Sequence, residues 1–344
     1  MATKDISSRE NLLLVTKMTN NNETLDVAEV LNKTNEVIED AIVQSSTDMT
    51  SHVFSRRTAL PAVSWVKMGN GWNATTGLLN QVREEIGQLK ARFSAPMDIM
   101  DIQPNPAKYR MQQERAYIES MGQELSNTLF GNYTAADGLS PATAPPEEFA
   151  GFQQRYASLG TTDTNFVLNN GNTEGADNTS IWFIQWGAGK TYLISPRNAP
   201  GGLSKDDKGP QLVSGDNSIA STSATASNPT NQLWAYITEF AWRVGLAVED
   251  LRTVKRLANI DSVSGSTHTL DEDKIIRIKN NFKSKDMVSM YMNETIFTQL
   301  EILAKDKVNV FWSENNPFGR PQLFFQNMPV RRSDAITDVE PILT

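Results

Sequence analysis

Residues 182–195 read WFIQWGAGKTYLIS, and Gly189-Lys190-Thr191 within them match the closing triplet of a phosphate-binding loop. Such a loop curls consecutive backbone N–H groups around a phosphate and leads into a helix N-terminus, which requires another glycine five positions before the second. That position holds Ile184. Thr191-Tyr192-Leu193-Ile194 then continues with β-branched and aromatic residues, and Pro196 falls where the helix should be under way. Spacing and context point instead to a hairpin: strand Ile181 to Trp186, a turn through Gly187-Ala188-Gly189, and strand Thr191 to Ser195.

Other groups able to do chemistry are few. The absence of cysteine excludes disulfides, thiolate nucleophiles and thiolate metal sites, and fits maturation in a reducing compartment. His52 and His268 are the only histidines, so a multi-histidine metal centre is excluded and a Ser-His-acid triad would have to use one of them. Both lie in Ser/Thr-rich stretches and read as solvated surface side chains. Asp206-Asp207 and Asp271-Glu272-Asp273 could hold a divalent cation, but such runs are also ordinary loop tips and helix starts. No catalytic, cofactor-binding or metal-ligating set is predicted.

The elements that would have to position any site are more informative. The chain has 344 residues, 39% of them hydrophobic and 21% charged, enough for one large or two ordinary globular domains. The N-terminal apolar run is too short for a signal peptide or membrane anchor, so synthesis in the cytoplasm is expected. A net charge of −8 argues against a dedicated nucleic-acid binder, though not against a protein that encloses nucleic acid.

Val27, Val30, Leu31, Thr34, Val37, Ile38, Ala41 and Ile42 recur at helical spacing and predict an amphipathic helix over 24–43. Extended chain follows from Val53, with a turn signal at Gly69-Asn70-Gly71 and a polar return to Ala95. The return limb also carries helix-tolerant residues; if it is extended, the segment is a long charged hairpin with too few large apolar residues to form its own core. A helix then starts at Asn105-Pro106, shows Ile118, Met121, Leu125 and Leu129 on one face, and ends at Gly131. At ~1.5 Å per residue it is a rod of roughly 37 Å. Residues 138–149 read as a linker ending in a helix start at Glu147-Glu148, and 200–232 as long surface loops. Trp234 to Val248 has a period of two and predicts a long half-buried strand. Helices over 271–282 and 294–306, the latter capped by Asn293, and two short C-terminal strands complete an α+β chain.

In that order the stretches SRRTALPAVSWVKMGNG, RMQQERAYIESMGQELSNTLFGN, TSIWFIQWGAGKTYLISPRNAPGGLSKDDKG, WRVGLAVEDLRTVKRLANID, MYMNETIFTQLEILA and MPVRRSDAITDVE resemble major capsid proteins of tailed double-stranded DNA phages, in particular the short-tailed branch. The resemblance covers most of the chain from about Val53. It implies a Hong Kong 97-type fold: an N-terminal arm (1–52), an extended loop (53–96), a peripheral domain built on the spine helix (97–160), and an axial domain interleaved with returning peripheral strands (161–344). It also implies pentamers and hexamers of one chain in an icosahedral shell around double-stranded DNA, assembled in the host bacterial cytoplasm. Portal protein and a separate scaffolding protein are implied partners, the latter because only about fifty residues precede the hairpin; a decoration protein and side-chain cross-linking stay open.

Inter-subunit contacts are expected at Arg56, Arg57, Lys67, Glu84 and Glu85 of the loop, largely by charge, and at Val27, Leu31 and Ile38 of the arm. A metal- or nucleotide-dependent enzyme, or a carbohydrate- or host-binding surface protein with some of its seven tryptophans in the site, are the alternatives.

Overall fold

A computed structural model of the chain describes residues 19–20, 23–24, 35–131, 147–160, 166–172, 177–198, 202–214, 232–263, 268–284, 288–306, 310–312 and 323–343. Its first half runs β1 (Thr19–Asn20), β2 (Glu23–Thr24), α1 (Val37–Asp40), β3 (Val43–Ser45), β4 (Ser51–Ala59), β5 (Leu78–Glu85), β6 (Gly87–Pro96), α2 (Met97–Ile102), α3 (Pro106–Phe130) and α4 (Phe152–Arg155). The second half runs β7 (Val167–Asn169), β8 (Asn178–Ile184), β9 (Thr191–Ser195), β10 (Leu203–Ser214), β11 (Gln232–Val248) and β12 (Val254–Asp261). It continues through α5 (Glu272–Asn280), β13 (Ser289–Met292), α6 (Glu294–Asp306), β14 (Val310–Trp312), β15 (Leu323–Phe325) and β16 (Met328–Arg332).

The chain divides into two compact units, one of residues 1–32, 89–124 and 202–242, the other of 33–88, 125–201 and 243–344. In the first, β10 pairs antiparallel with β11 from Leu203↔Trp242 to Ser214↔Gln232. Residues 203–214 are therefore strand, against the loop expected from their composition. Their charges and Pro210 suit the outer position that β10 occupies, where a strand must not recruit another. Asp207 accepts from the Gly209 N–H (3.0 Å) at a bulge that places Gly209 at φ 67°. The core of this unit is Phe93, Ala95, Met100, Tyr109, Met121 and Phe240. Tyr117 lies 6.0 Å from Phe93 and 6.2 Å from Phe240, ring centre to ring centre. Ile118, expected on the buried face of α3, is exposed; its neighbour Tyr117 packs against the core instead.

The long helix has the bounds its signals demand. The Asn105 side chain accepts from the Lys108 N–H (3.1 Å), Pro106 takes the first helical position, and Gly131 follows the last turn at φ 72°.

In the second unit a seven-stranded mixed sheet has the order β14-β15-β16-β13-β8-β12-β7. Its core gathers Ile181, Phe183, Leu257, Ile260, Met290 and Met292 from the strands with Ile275, Ile278, Ile296 and Leu300 from α5 and α6. Both helices start as expected: Asp271 accepts from the Asp273 N–H and Asn293 from the Ile296 N–H, each at 3.0 Å. The C-terminal strands turn through Gln326 (φ 47°) and Asn327 (φ 68°), a left-handed pair that matches strand twist. The helix expected at Glu147 begins instead at Phe152, after Gly151. A Cβ on Gly151 would lie 2.3 Å from the Thr128 carbonyl oxygen, so only glycine lets α4 approach the end of α3.

The end of the expected amphipathic helix also differs: only Val37–Asp40 is helical among the described residues 35–45, and Val43–Ser45 pairs parallel with β9. Strand pairing wins where Ile42 and Val43 favour extended backbone. This segment packs on the second unit, with Val37 buried and Asp40 accepting from the Tyr291 hydroxyl (2.7 Å) and Arg331 Nη2 (3.0 Å).

One buried cation in this unit bears on stability. Lys255 on β12 is 1% exposed, its ammonium 5.5 Å from the Phe166 ring centre and 5.3 Å from that of Phe282. Burial, and then the like charge of Lys283, pull its pKa from 10.5 down to about 8. Because the unfolded chain binds this proton more tightly, Lys255 should make wild-type stability rise with pH between about 8 and 10.5. Lys255→Met keeps the stem and removes the charge, and it is expected to raise the melting temperature by a few degrees at neutral pH, with the gap closing above pH 10.5. Calorimetry across that range checks it; a lower melting point for the variant would mean the two rings more than offset the burial cost.

Candidate assembly surface: the extended hairpin and its root

β4 and β5 pair antiparallel from Ser51↔Glu85 to Ala59↔Leu78 and form a two-stranded sheet of their own. At the root, alternate residues turn toward the second unit's body. Arg56 donates from Nε to the Glu249 carbonyl (2.9 Å) and from Nη2 to the Val248 carbonyl (2.6 Å), with its guanidinium 5.6 Å from the Phe54 ring centre. Glu84 is met bidentately by Arg155 (2.6 and 2.7 Å), which also donates to the Ala150 and Leu246 carbonyls (3.1 and 3.2 Å). Gly245 lets β11 come close here, since a Cβ would stand 2.5 Å from the Glu85 carbonyl oxygen.

His52 belongs to the same root. It is buried, not a solvated surface residue as its polar neighbours imply. Its Nδ1 accepts from the Thr47 N–H (3.2 Å) and Nε2 lies 2.8 Å from the Tyr192 hydroxyl, which donates to Glu249 Oε1 (2.6 Å). With Nδ1 occupied as acceptor, the neutral ring carries its proton on Nε2 and the three groups form one directed chain. Burial first, then the hydrogen bond to Glu249, raise the pKa of Tyr192 and keep it the donor.

The tip is chemically different. Leu60, Val63, Trp65, Met68 and Trp72 are exposed, Trp65 and Met68 completely, so this charged hairpin also presents large apolar side chains at its end. The turn at the tip is Lys67 to Asn70, closed by the Asn70 N–H on the Lys67 carbonyl (3.1 Å), with Gly69 at φ 90° as the third residue of such a turn requires. From Val53 to Arg83 the sequence holds Arg56, Arg57, Lys67 and Arg83 and no carboxylate.

The expected contact residues thus divide. Arg56 and Glu84 are engaged within the subunit, Arg57, Lys67 and Glu85 are exposed, and Ile38 is half-buried in α1. Val27 and Leu31 lie outside the described residues. Arg155, which sequence reasoning did not pick out, is the central cation of the root; its partner Glu84 is 71 positions away, and no local spacing connects them.

The Gly-Lys-Thr triplet leads into β9 and not a helix, which removes the phosphate-loop geometry. The hairpin expected around it does not form as such. β8 joins the seven-stranded sheet while β9 pairs with β11 and β3, because each strand finds a longer partner elsewhere. Asp207 is held below the usual carboxylate range by its hydrogen bond from Arg110, and among the described residues no group of three His, Asp or Glu side chains could hold a metal.

The chain has the Hong Kong 97-type α+β shell fold. The structure is similar to that of bacteriophage Epsilon15, at a TM-score of 0.73 and 22% identity over 99% of this chain and 100% of that one. The bacteriophage JBD30 capsid aligns with 89% of this chain and 96% of its own at 12% identity and a TM-score of 0.41. No curated protein matches. The family model described as Major capsid protein GP7 matches residues 19–344, and the chain belongs to that family. It is a structural protein of the phage virion, and copies of it form the icosahedral shell.

Proposed function

We propose that each subunit builds the shell by placing its hairpin tip on an adjacent copy, with the root fixing the direction in which the tip points. The observation that carries this is the exposed tip: Trp65, Met68 and Trp72 are large, apolar and left exposed among the described residues, the composition of an interface centre. The exposed cations Lys67 at the tip and Arg57 and Arg83 along the limbs carry the hairpin's charge, and in a chain of net charge −8 they favour an acidic neighbouring surface. Val27, Leu31 and Ile38 are proposed as further contacts through the arm, and Glu85 at the foot of the hairpin. Pentamers and hexamers, a separate scaffolding protein and a portal protein are the assembly partners the family implies, and the acidic chain encloses DNA without reading its sequence. A catalytic role is not proposed.

Trp65→Ser with Trp72→Ser tests the reading. Truncating a central aromatic anchor typically removes ~2 kcal/mol or more, on the order of thirtyfold in an association constant. The variant is expected to keep the melting temperature of the isolated subunit and to lose shells in sedimentation at concentrations where wild type assembles. Normal shell yield from the double variant would overturn the docking role of the tip.

A further inference from the structure

Asn-Gly occurs twice in the chain, at 70–71 and 170–171, and the structure gives the two pairs opposite environments. We propose that Asn70 is a site of spontaneous deamidation in the free subunit, that Asn170 is not, and that docking of the hairpin tip in the shell shields Asn70. The last clause rests on the docking function proposed above; the first two do not.

The reaction needs a side-chain amide and the next residue's backbone nitrogen free to meet. The Gly71 nitrogen, after losing its proton, attacks Asn70 Cγ; the new C–N bond forms a five-membered imide as the C–NH2 bond breaks and ammonia leaves. Water then opens the imide at either carbonyl to give aspartate or isoaspartate, with no change in oxidation state. Glycine following the asparagine offers no side chain to hinder the attack. At 70–71 both residues are exposed, nothing lies within 4 Å of the position where a Gly71 Cβ would stand, and among the described residues the Gly71 N–H has no acceptor.

At 170–171 every moving part is held. Asn170 is 4% exposed, and its amide nitrogen donates to the His268 and Thr269 carbonyls, both at 2.9 Å. Its own N–H donates to the Ala258 carbonyl (2.8 Å), and the attacking Gly171 nitrogen is committed to Asn169 Oδ1 (2.8 Å). The product at Asn70 would also matter electrostatically. It would put the first carboxylate into a segment, Val53 to Arg83, that otherwise carries only cations, and isoaspartate would lengthen the main chain at the tip.

Peptide mapping by mass spectrometry of purified subunits, urea-unfolded subunits and assembled shells, all held at mildly alkaline pH, tests each clause. The expected result is acid at Asn70 but not Asn170 in native subunits, acid at both in urea, and loss of conversion at Asn70 in shells. Gly71→Val should suppress conversion at Asn70 in the native subunit. An unchanged Asn70 in native subunits, alongside conversion of Asn170 in urea, would overturn the site, as would conversion of Asn170 in native subunits at the rate of Asn70. Conversion in shells as fast as in free subunits would overturn the shielding, and with it the docking of the tip, while leaving the chemical site intact.

Discussion

Replacing Glu340 with alanine is expected to lower the folding stability of the subunit by about 3–5 kcal/mol, because it strands a buried charge. The partner is Arg256 on β12, whose side chain is 0% exposed and whose Nη2 lies 2.8 Å from Glu340 Oε2. Arg256 also donates to Ser180 Oγ (2.9 Å) and the Tyr156 carbonyl (3.0 Å), with its guanidinium 4.8 Å from the Trp182 ring centre. None of those groups carries the negative charge that Glu340 supplies. The same carboxylate holds the C-terminal segment, where the Glu340 N–H donates to the Asn178 carbonyl (2.8 Å) and Leu343 exchanges two hydrogen bonds with Asn259, each 2.9 Å. Urea and thermal unfolding would measure the loss. Arg256→Met combined with Glu340→Leu should recover most of it, since apolar side chains of similar size need no counter-charge. A loss below about 1 kcal/mol in the single variant would mean that the C-terminal segment lifts and lets water reach Arg256.

That pair also marks the limit of what the sequence discloses. Where the signal is local, structure follows it: Asn105, Pro106 and Gly131 bound the long helix, Asp271 and Asn293 cap theirs, and the period-two run places a strand at Gln232–Val248. Where a partner distant in sequence decides, the local reading fails. Residues 203–214 look like loop until an entire antiparallel partner is laid beside them, and Val43–Ser45 becomes strand because β9 offers an edge. His52 sits among serines and threonines yet is buried by Tyr192, 140 positions away. The candidate surface divides in the same manner. Its existence was legible in an extended segment with no core, whereas its division into a locked root and an apolar tip depends on Arg155 and on the carbonyls of Val248 and Glu249.

The root supplies the second large effect. Glu84→Ala is expected to release the hairpin from the body and abolish shells, at a local cost approaching the ~3–5 kcal/mol of a broken buried ion pair. Side chains of Glu84 and Arg155 are 10% and 15% exposed, so the stranded guanidinium keeps only its bonds to the Ala150 and Leu246 carbonyls. Arg57→Glu is the matched surface change one residue from Arg56; an exposed charge contributes only about 0–1 kcal/mol to the subunit. The two variants should therefore separate by where they act. Hydrogen exchange on isolated subunits should show faster opening of Ser51–Ala59 and Leu78–Glu85 in Glu84→Ala and wild-type protection in Arg57→Glu. Assembly by Arg57→Glu should be reduced at low salt and largely restored as screening rises, because its defect lies in charge at the interface. Glu84→Ala should not recover with salt, because its tip no longer has a fixed direction. Wild-type exchange in the hairpin of Glu84→Ala would show that Arg56 on its two carbonyls and the His52–Tyr192 contact suffice to hold the root, and the direction of the tip would then have to be attributed to them.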